Sequence, residues 1–152
     1  MTETERSQIE GCPVLLYDGV CALCNGVVRF VIRHDVRCDF RFAPLQSCLA
    51  RELIAMSTST SPPEGVILVT DTLTPNQRLY RRSDAVVRTL SILGHPWDRW
   101  ARLSSLLARV PHPLREFGYS VIARLRYRIF GRYTTCPVPT PDLRDRILSV
   151  SK

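Results

Sequence analysis

The sequence predicts an α/β domain in the order β-α-β-α-β-β-α, followed by a helical extension. Three observations carry that prediction. Four short apolar or alternating runs, at 12–18, 38–44, 66–71 and 77–82, are bounded by Gly, Pro or turn residues and read as strands. Segments with helical spacing separate the first three of them. The link between the last two, "TLTPN", is short enough for a hairpin.

The elements follow in order. "CPVLLYD" (12–18) lies between Gly11 and Gly19 and predicts a buried strand. "ALCNGVVRFVIRH" (22–34) places Leu23, Val27, Phe30, Val31 and His34 on one helical face, with Arg29 and Arg33 away from it. "CDFRFAP" alternates and stops at Pro44; "LQSCLARELIAM" (45–56) is helical; "STSTSPPEG" is a turn-rich loop. "VILVTD" and "QRLYRR" form the hairpin pair. Ser83 is expected to cap the helix 84–93, with Asp84 in its first turn, where the macrodipole favours a carboxylate. Three helical pieces follow, at 97–109, 114–130 and near 142–148. A β-α-β crossover makes the first two strands parallel. This is the element order of the thioredoxin core.

At 152 residues with 45% hydrophobic content, the chain is expected to be one domain, residues 12–152, with the helical extension starting near 97. Residues 1–11 are read as a disordered tail. No secretory signal and no run of about 18 apolar residues is evident, so a cytoplasmic protein without a transmembrane segment is expected.

The net charge of +7 is uneven. Residues 1–75 carry six arginines against nine carboxylates; residues 76–152 carry fourteen arginines and one lysine against five. The arginines are spread through helical segments with apolar stripes and read as solvated faces. No basic run is interleaved with aromatics in a binding pattern, so no nucleic-acid partner is expected.

Six cysteines stand at 12, 21, 24, 38, 48 and 136. In a reducing compartment most are expected to be buried thiols, with Cys12, Cys38 and Cys48 acting as small hydrophobes. Cys21 and Cys24 differ. A CxxC arises by chance in roughly one chain in five of this composition, so its position matters more than its presence. Cys21 falls where the first strand ends and the first helix begins. Unpaired N–H groups and the dipole favour a thiolate there. Cys24, one turn on, can close a disulfide with it. Two-step exchange needs both: Cys21 attacks, and Cys24 resolves the mixed disulfide. Cys21 is expected to be the more exposed sulfur, and two fully buried sulfurs, or a pair in the middle of a strand, would remove the catalytic reading. Asp18 can begin an Asp-Gly turn, cap the helix, or take up and return the Cys24 proton. A zinc site from Cys21, Cys24, His34 and Cys38 is disfavoured. His34 lies ten residues beyond Cys24 on one helix, about 15 Å away, whereas zinc ligands converge within about 2.3 Å of the ion.

These residues make the chain recognisable. "YDGVCALC", "FRFAPLQS", "RRSDAVVRTL", "ARLRYRIFGR" and "CPVPTPDLRDR" resemble the DCC family of thiol-disulfide oxidoreductases, over Val14 to Leu148. The family's Asp-Gly-x-Cys-x-x-Cys falls on Asp18, Gly19, Cys21 and Cys24. Its Ser-Asp-Ala element falls on Ser83, Asp84 and Ala85. Its arginine-rich segment falls on Ala123, Arg124, Arg126, Tyr127, Arg128, Phe130 and Gly131, and its later Cys-x-x-Pro on Cys136 and Pro139. The resemblance implies a thioredoxin-like fold and disulfide chemistry; no bound cofactor or metal is expected. Thioredoxin-like enzymes usually carry a cis-proline directly before the third core strand, facing the dithiol. Here Glu64-Gly65 precede Val66, so unless Pro63 takes that role substrate docking must differ.

The function expected is exchange of the Cys21/Cys24 dithiol with a disulfide- or thiol-bearing substrate, by a monomer. The alternative is a non-catalytic module that docks an acidic partner or membrane surface through its basic C-terminal half. The arginine-rich helix is expected to bury Val121, Ile122, Leu125, Ile129 and Phe130 and to keep Arg124 and Arg128 in solvent, far from the dithiol. Cys136 is expected to be a buried thiol, with a third redox cysteine as the sharper reading.

Overall fold

Strand β1 (Val14–Tyr17) is buried along its whole length, because both of its faces are covered. Leu15 and Tyr17 point into one apolar cluster with Phe42, Leu68, Val28 and Val31; Val14 and Leu16 point into a second with Ala43, Ile67, Leu49 and Leu53. That alternation is the period of two of a strand between two helical layers. Each such side chain contributes about 1.5–3 kcal/mol by leaving water. The computed structural model describes residues 3–57, 65–94, 99–133 and 146–148.

The sheet order is β2-β1-β3-β4, with β2 at Arg41–Pro44, β3 at Ile67–Thr70 and β4 at Arg78–Arg81. β1 runs parallel to β2 in the register Leu15↔Phe42, and β3 runs antiparallel to both β1 and β4. Helix α2 (Ala22–His34) and helix α4 (Arg82–Leu93) build the first cluster; α3 (Cys48–Ala55) builds the second. This is the thioredoxin-like α/β core expected from the sequence, with α5 (Arg99–Arg109) and α6 (His112–Ile129) as its helical extension. Gly94 ends α4 where a Cβ would collide with the backbone of Ala101, so α5 can fold back closely onto α4. No helix among the described residues is long and apolar enough to cross a membrane.

Four expectations are corrected. The N-terminal stretch read as disorder contains helix α1 (Glu3–Ile9), whose Ile9 is fully buried in the second cluster and secures the segment. Ser83 does not cap α4. β4 runs directly into the helix at Arg82, the N-cap position is Arg81, whose side chain makes no capping bond, and Ser83 lies inside the first turn. The C-terminal stretch read as helical up to Leu148 instead pairs with the sheet edge where it is described. Ile147 bridges Phe42 in parallel, with Leu148 N–H donating to Phe42 O at 2.8 Å; residues 142–145 lie outside the described residues.

The fourth correction concerns α6. None of its residues is buried. The expected apolar band faces solvent: Val121, Ile122, Leu125, Ile129 and Phe130 are exposed, together with Leu114 and Phe117, the last at 68%. The side facing the core is polar, with Glu116, Tyr119, Ser120, Arg126 and Tyr127 half-buried. The helix is therefore attached by directed bonds rather than by an apolar stripe. Glu116 accepts from Ser83 Oγ and pairs with Arg82 at 2.7 Å. Arg115 Nε donates to Ser83 Oγ at 3.0 Å, and its Nη2 pairs with Asp84. The Ser-Asp-Ala element is thus the α4 half of a lock onto α6.

Candidate active site

Cys21 is the N-cap of α2. Its backbone is extended, and its Sγ accepts from Cys24 N–H at 3.3 Å, the role a serine oxygen plays at other helix starts. The preceding turn is set by Asp18. Its Oδ1 accepts from Val20 N–H at 3.2 Å, and its carbonyl accepts from Cys21 N–H at 3.2 Å. Asn25 closes the loop from above, with Nδ2 donating at 2.9 Å to both Gly19 O and Cys21 O. Of the three roles open to Asp18, the turn is observed and the helix cap belongs to Cys21.

The structure brings together Cys21, Cys24 and Asp18. To them it adds Arg126 and Tyr127 from the far end of the chain. Tyr127 O–H donates to Asp18 Oδ2, Arg126 Nη2 lies 3.4 Å from the same oxygen, and Gln46 Nε2 reaches Oδ1 at 3.3 Å. Arg126 Nη2 also donates to Tyr127 O–H at 2.9 Å. Arg124 and Arg128 are exposed, as expected, whereas Arg126 turns inward onto the Asp18 carboxylate. Its signal was present as the motif Arg-x-Arg-Tyr, but helical periodicity alone assigned the apolar side to the core.

These neighbours set the protonation of Cys24. Burial pushes its thiol up to about 12; the hydrogen bond to the Cys21 sulfur and the charge of Cys21 add to the rise, as does Asp18, while Arg126 pulls the other way. A thiol raised on folding stabilises the fold fully below its unfolded value near 9.0, and that contribution is lost as pH climbs toward 12. Burial and the bond to Asp18 raise Tyr127, which therefore remains a donor at neutral pH. Burial opposes the charge of Arg126, yet Tyr127 and the two sulfurs outweigh it, and its guanidinium is held more firmly protonated than usual.

The accessibility expectation is overturned. Cys21 is 0% exposed and Cys24 3%, so Cys21 is the more buried of the pair. What covers it is the strand-like segment after α6. Arg132 bridges Cys21 in antiparallel fashion, Tyr133 N–H donates to Val20 O at 2.8 Å, and the Arg132 guanidinium lies over the Tyr127 ring at 5.4 Å. In this conformation the burial counts against exchange. The turn before β3 is also occupied. Tyr119 O–H accepts from Val66 N–H at 3.1 Å, where thioredoxin-like enzymes carry their cis-proline. Gly65 permits this with φ +79, because a Cβ there would overlap the Tyr119 hydroxyl. Pro63 lies outside the described residues, as does Cys136.

The other thiols are not buried hydrophobes: Cys12 is half-buried, and Cys38 and Cys48 are exposed. His34 ends α2 with Nδ1 against Phe30 O at 2.8 Å and its ring against Phe30 and Trp100. Among the described residues, no three His, Cys, Asp or Glu side chains converge as a metal site requires.

A family model described as DCC1-like thiol-disulfide oxidoreductase matches residues 15–132. The chain is 36% identical over 136 residues to the uncharacterized protein YuxK of Bacillus subtilis, covering 89% of this chain and 93% of that one. It is also 36% identical over 124 residues to a DCC family protein of Arabidopsis thaliana described as chloroplastic, covering 82% of this chain and 68% of that one. No solved structure matches.

Proposed function

Because the chain belongs to the DCC1-like thiol-disulfide oxidoreductase family, we propose that Cys21 and Cys24 exchange their dithiol with a substrate disulfide, with Asp18 handling the Cys24 proton. The observation that carries this reading is the contact of the two thiols at the start of α2. Cys24 lies one turn inside the helix, its N–H donating to the Cys21 sulfur at 3.3 Å and its thiol raised by that same neighbour.

The chemistry runs in two displacements. The Cys21 thiolate attacks one sulfur of the substrate disulfide and expels the other as a thiolate, leaving a mixed disulfide on Cys21. Cys24 then gives up its proton, attacks the Cys21 sulfur and releases the second substrate thiol. The protein loses two electrons and two protons; the substrate disulfide gains both and becomes two thiols. The first step itself prepares the second. While Cys21 is free, its hydrogen bond and charge hold the Cys24 proton in place. Once Cys21 is in a mixed disulfide, both influences are gone, Arg126 still favours the thiolate, and Asp18 stands ready as acceptor.

The buried sulfurs impose a condition: the Arg132–Tyr133 strap must open. Tyr133→Pro removes the N–H that bonds Val20 O, while Tyr133→Ala keeps it. One such bond is worth about 0.5–1.5 kcal/mol, so the proline variant is expected to speed alkylation of Cys21 by neutral iodoacetamide about fivefold, with the alanine variant near wild type. Equal rates in all three proteins would mean that the strap is not the gate, and inert thiols throughout would remove the catalytic reading.

A further inference from the structure

The exchange chemistry leaves part of the arginine-rich motif unused. Gly65, Arg82, Tyr119, Ala123, Arg124 and Arg126 line a pocket of about 120 Å³ between the turn before β3 and α6. No carboxylate lines it. Arg82 is committed to Glu116 and Ser120. Arg126 meets Asp18 and Tyr127 through Nη2 alone, and its Nε is buried without a partner. Arg124 makes no ion pair among the described residues and is exposed. An uncompensated guanidinium nitrogen in a buried setting costs free energy unless an acceptor arrives.

Two further observations point to a ligand. Arg82 holds φ at +52, a left-handed conformation rare for a side chain of this size. Such strain costs on the order of 1 kcal/mol and tends to sit at functional sites. The pocket also shares a residue with the dithiol's surroundings: Arg126, which lines it, pairs with Asp18 in the turn before Cys21, and Val66, beside Gly65, belongs to the same apolar cluster as Cys21 and Cys24. Size limits the occupant. A water takes about 30 Å³, so the pocket admits a group of roughly four waters, enough for a carboxylate on a short chain and too small for a folded segment.

We propose that this pocket binds the carboxylate of a small disulfide or thiol substrate and presents its sulfur to the Cys21/Cys24 pair. The inference rests on the exchange reading and deepens it by assigning a substrate class. The redox step is the one written above, with RSSR reduced to two RSH and the pair oxidised to a disulfide. Guanidinium geometry favours bidentate capture of a carboxylate, and Arg124 is the free arm that closes on it.

The test separates charge from chemistry. Three disulfides of similar length serve as oxidants at fixed ionic strength: 3,3′-dithiodipropionate (anionic), 2-hydroxyethyl disulfide (neutral) and cystamine (cationic). Adipate, the dicarboxylate that remains when the S–S of dithiodipropionate is excised, probes binding alone by calorimetry. Oxidation of the pair is expected to be about tenfold faster with the anionic than with the neutral disulfide, the size of one charge-assisted contact. In Arg124→Gln that ratio falls toward one and adipate binding weakens at least about fivefold; Ala123→Leu, which fills the pocket, does the same. Absent adipate binding, or equal binding by wild type and Arg124→Gln, overturns the pocket assignment, and oxidation by the neutral disulfide then leaves the exchange reading intact. Adipate binding with no oxidation of the pair by any of the three disulfides overturns the exchange reading and the substrate assignment with it.

Discussion

Cys21→Ser is expected to abolish exchange with a test disulfide, by at least about three orders of magnitude, because a serine hydroxyl supplies no comparable nucleophile at neutral pH. The fold should survive the change. Serine is among the best N-cap residues, and its oxygen can accept the Cys24 N–H that the sulfur now accepts. Cys24→Ser should behave differently. The first displacement persists, the second cannot occur, and the mixed disulfide on Cys21 accumulates in amounts visible by intact mass. A reversal, with Cys24→Ser inert and Cys21→Ser forming the adduct, would exchange the two roles and remove the argument from the helix N-cap.

Asp18→Asn should leave the first displacement within about threefold and slow the second by about a hundredfold, the usual worth of a placed general base. The reason lies in Cys24. Burial holds its thiol well above the usual range, so the thiolate fraction is small at pH 7. Loss of the Cys21 contributions in the mixed disulfide raises that fraction, but burial remains, and the proton still needs an acceptor. Asparagine keeps an oxygen for Val20 N–H and so preserves the turn. The defect should shrink as pH rises, since the thiolate then forms without help from residue 18. Single-turnover kinetics of mixed-disulfide decay against pH measures this; an unchanged second step would show that the Cys24 proton leaves by another route.

The core was legible because its signals are local. The all-buried run at 14–17, the stop at Asp18-Gly19 and the helical spacing from 22 to 34 each depend on neighbours within a turn or two, and α2 spans the residues expected. The placement of Cys21 at the helix start followed from the same local pattern. What failed depends on distant partners. Tyr127 meets Asp18 across 109 positions, and Tyr119 meets Val66 across 53. Periodicity cannot register such bonds, so it turned the apolar side of α6 inward. The covering of Cys21 by Arg132 is of the same kind. Ser83 looked like a cap because it precedes Asp84, yet β4 enters α4 without a loop, and the serine serves α6 instead.

The most direct test of the account is a redox titration of the whole protein in glutathione buffers of graded poise, read by intact mass and peptide mapping. One reversible two-electron transition is expected, in which the folded protein loses two hydrogens and the Cys21 and Cys24 sulfurs become linked. A pair that stays reduced at every poise while the exposed Cys38 and Cys48 collect glutathione would contradict it.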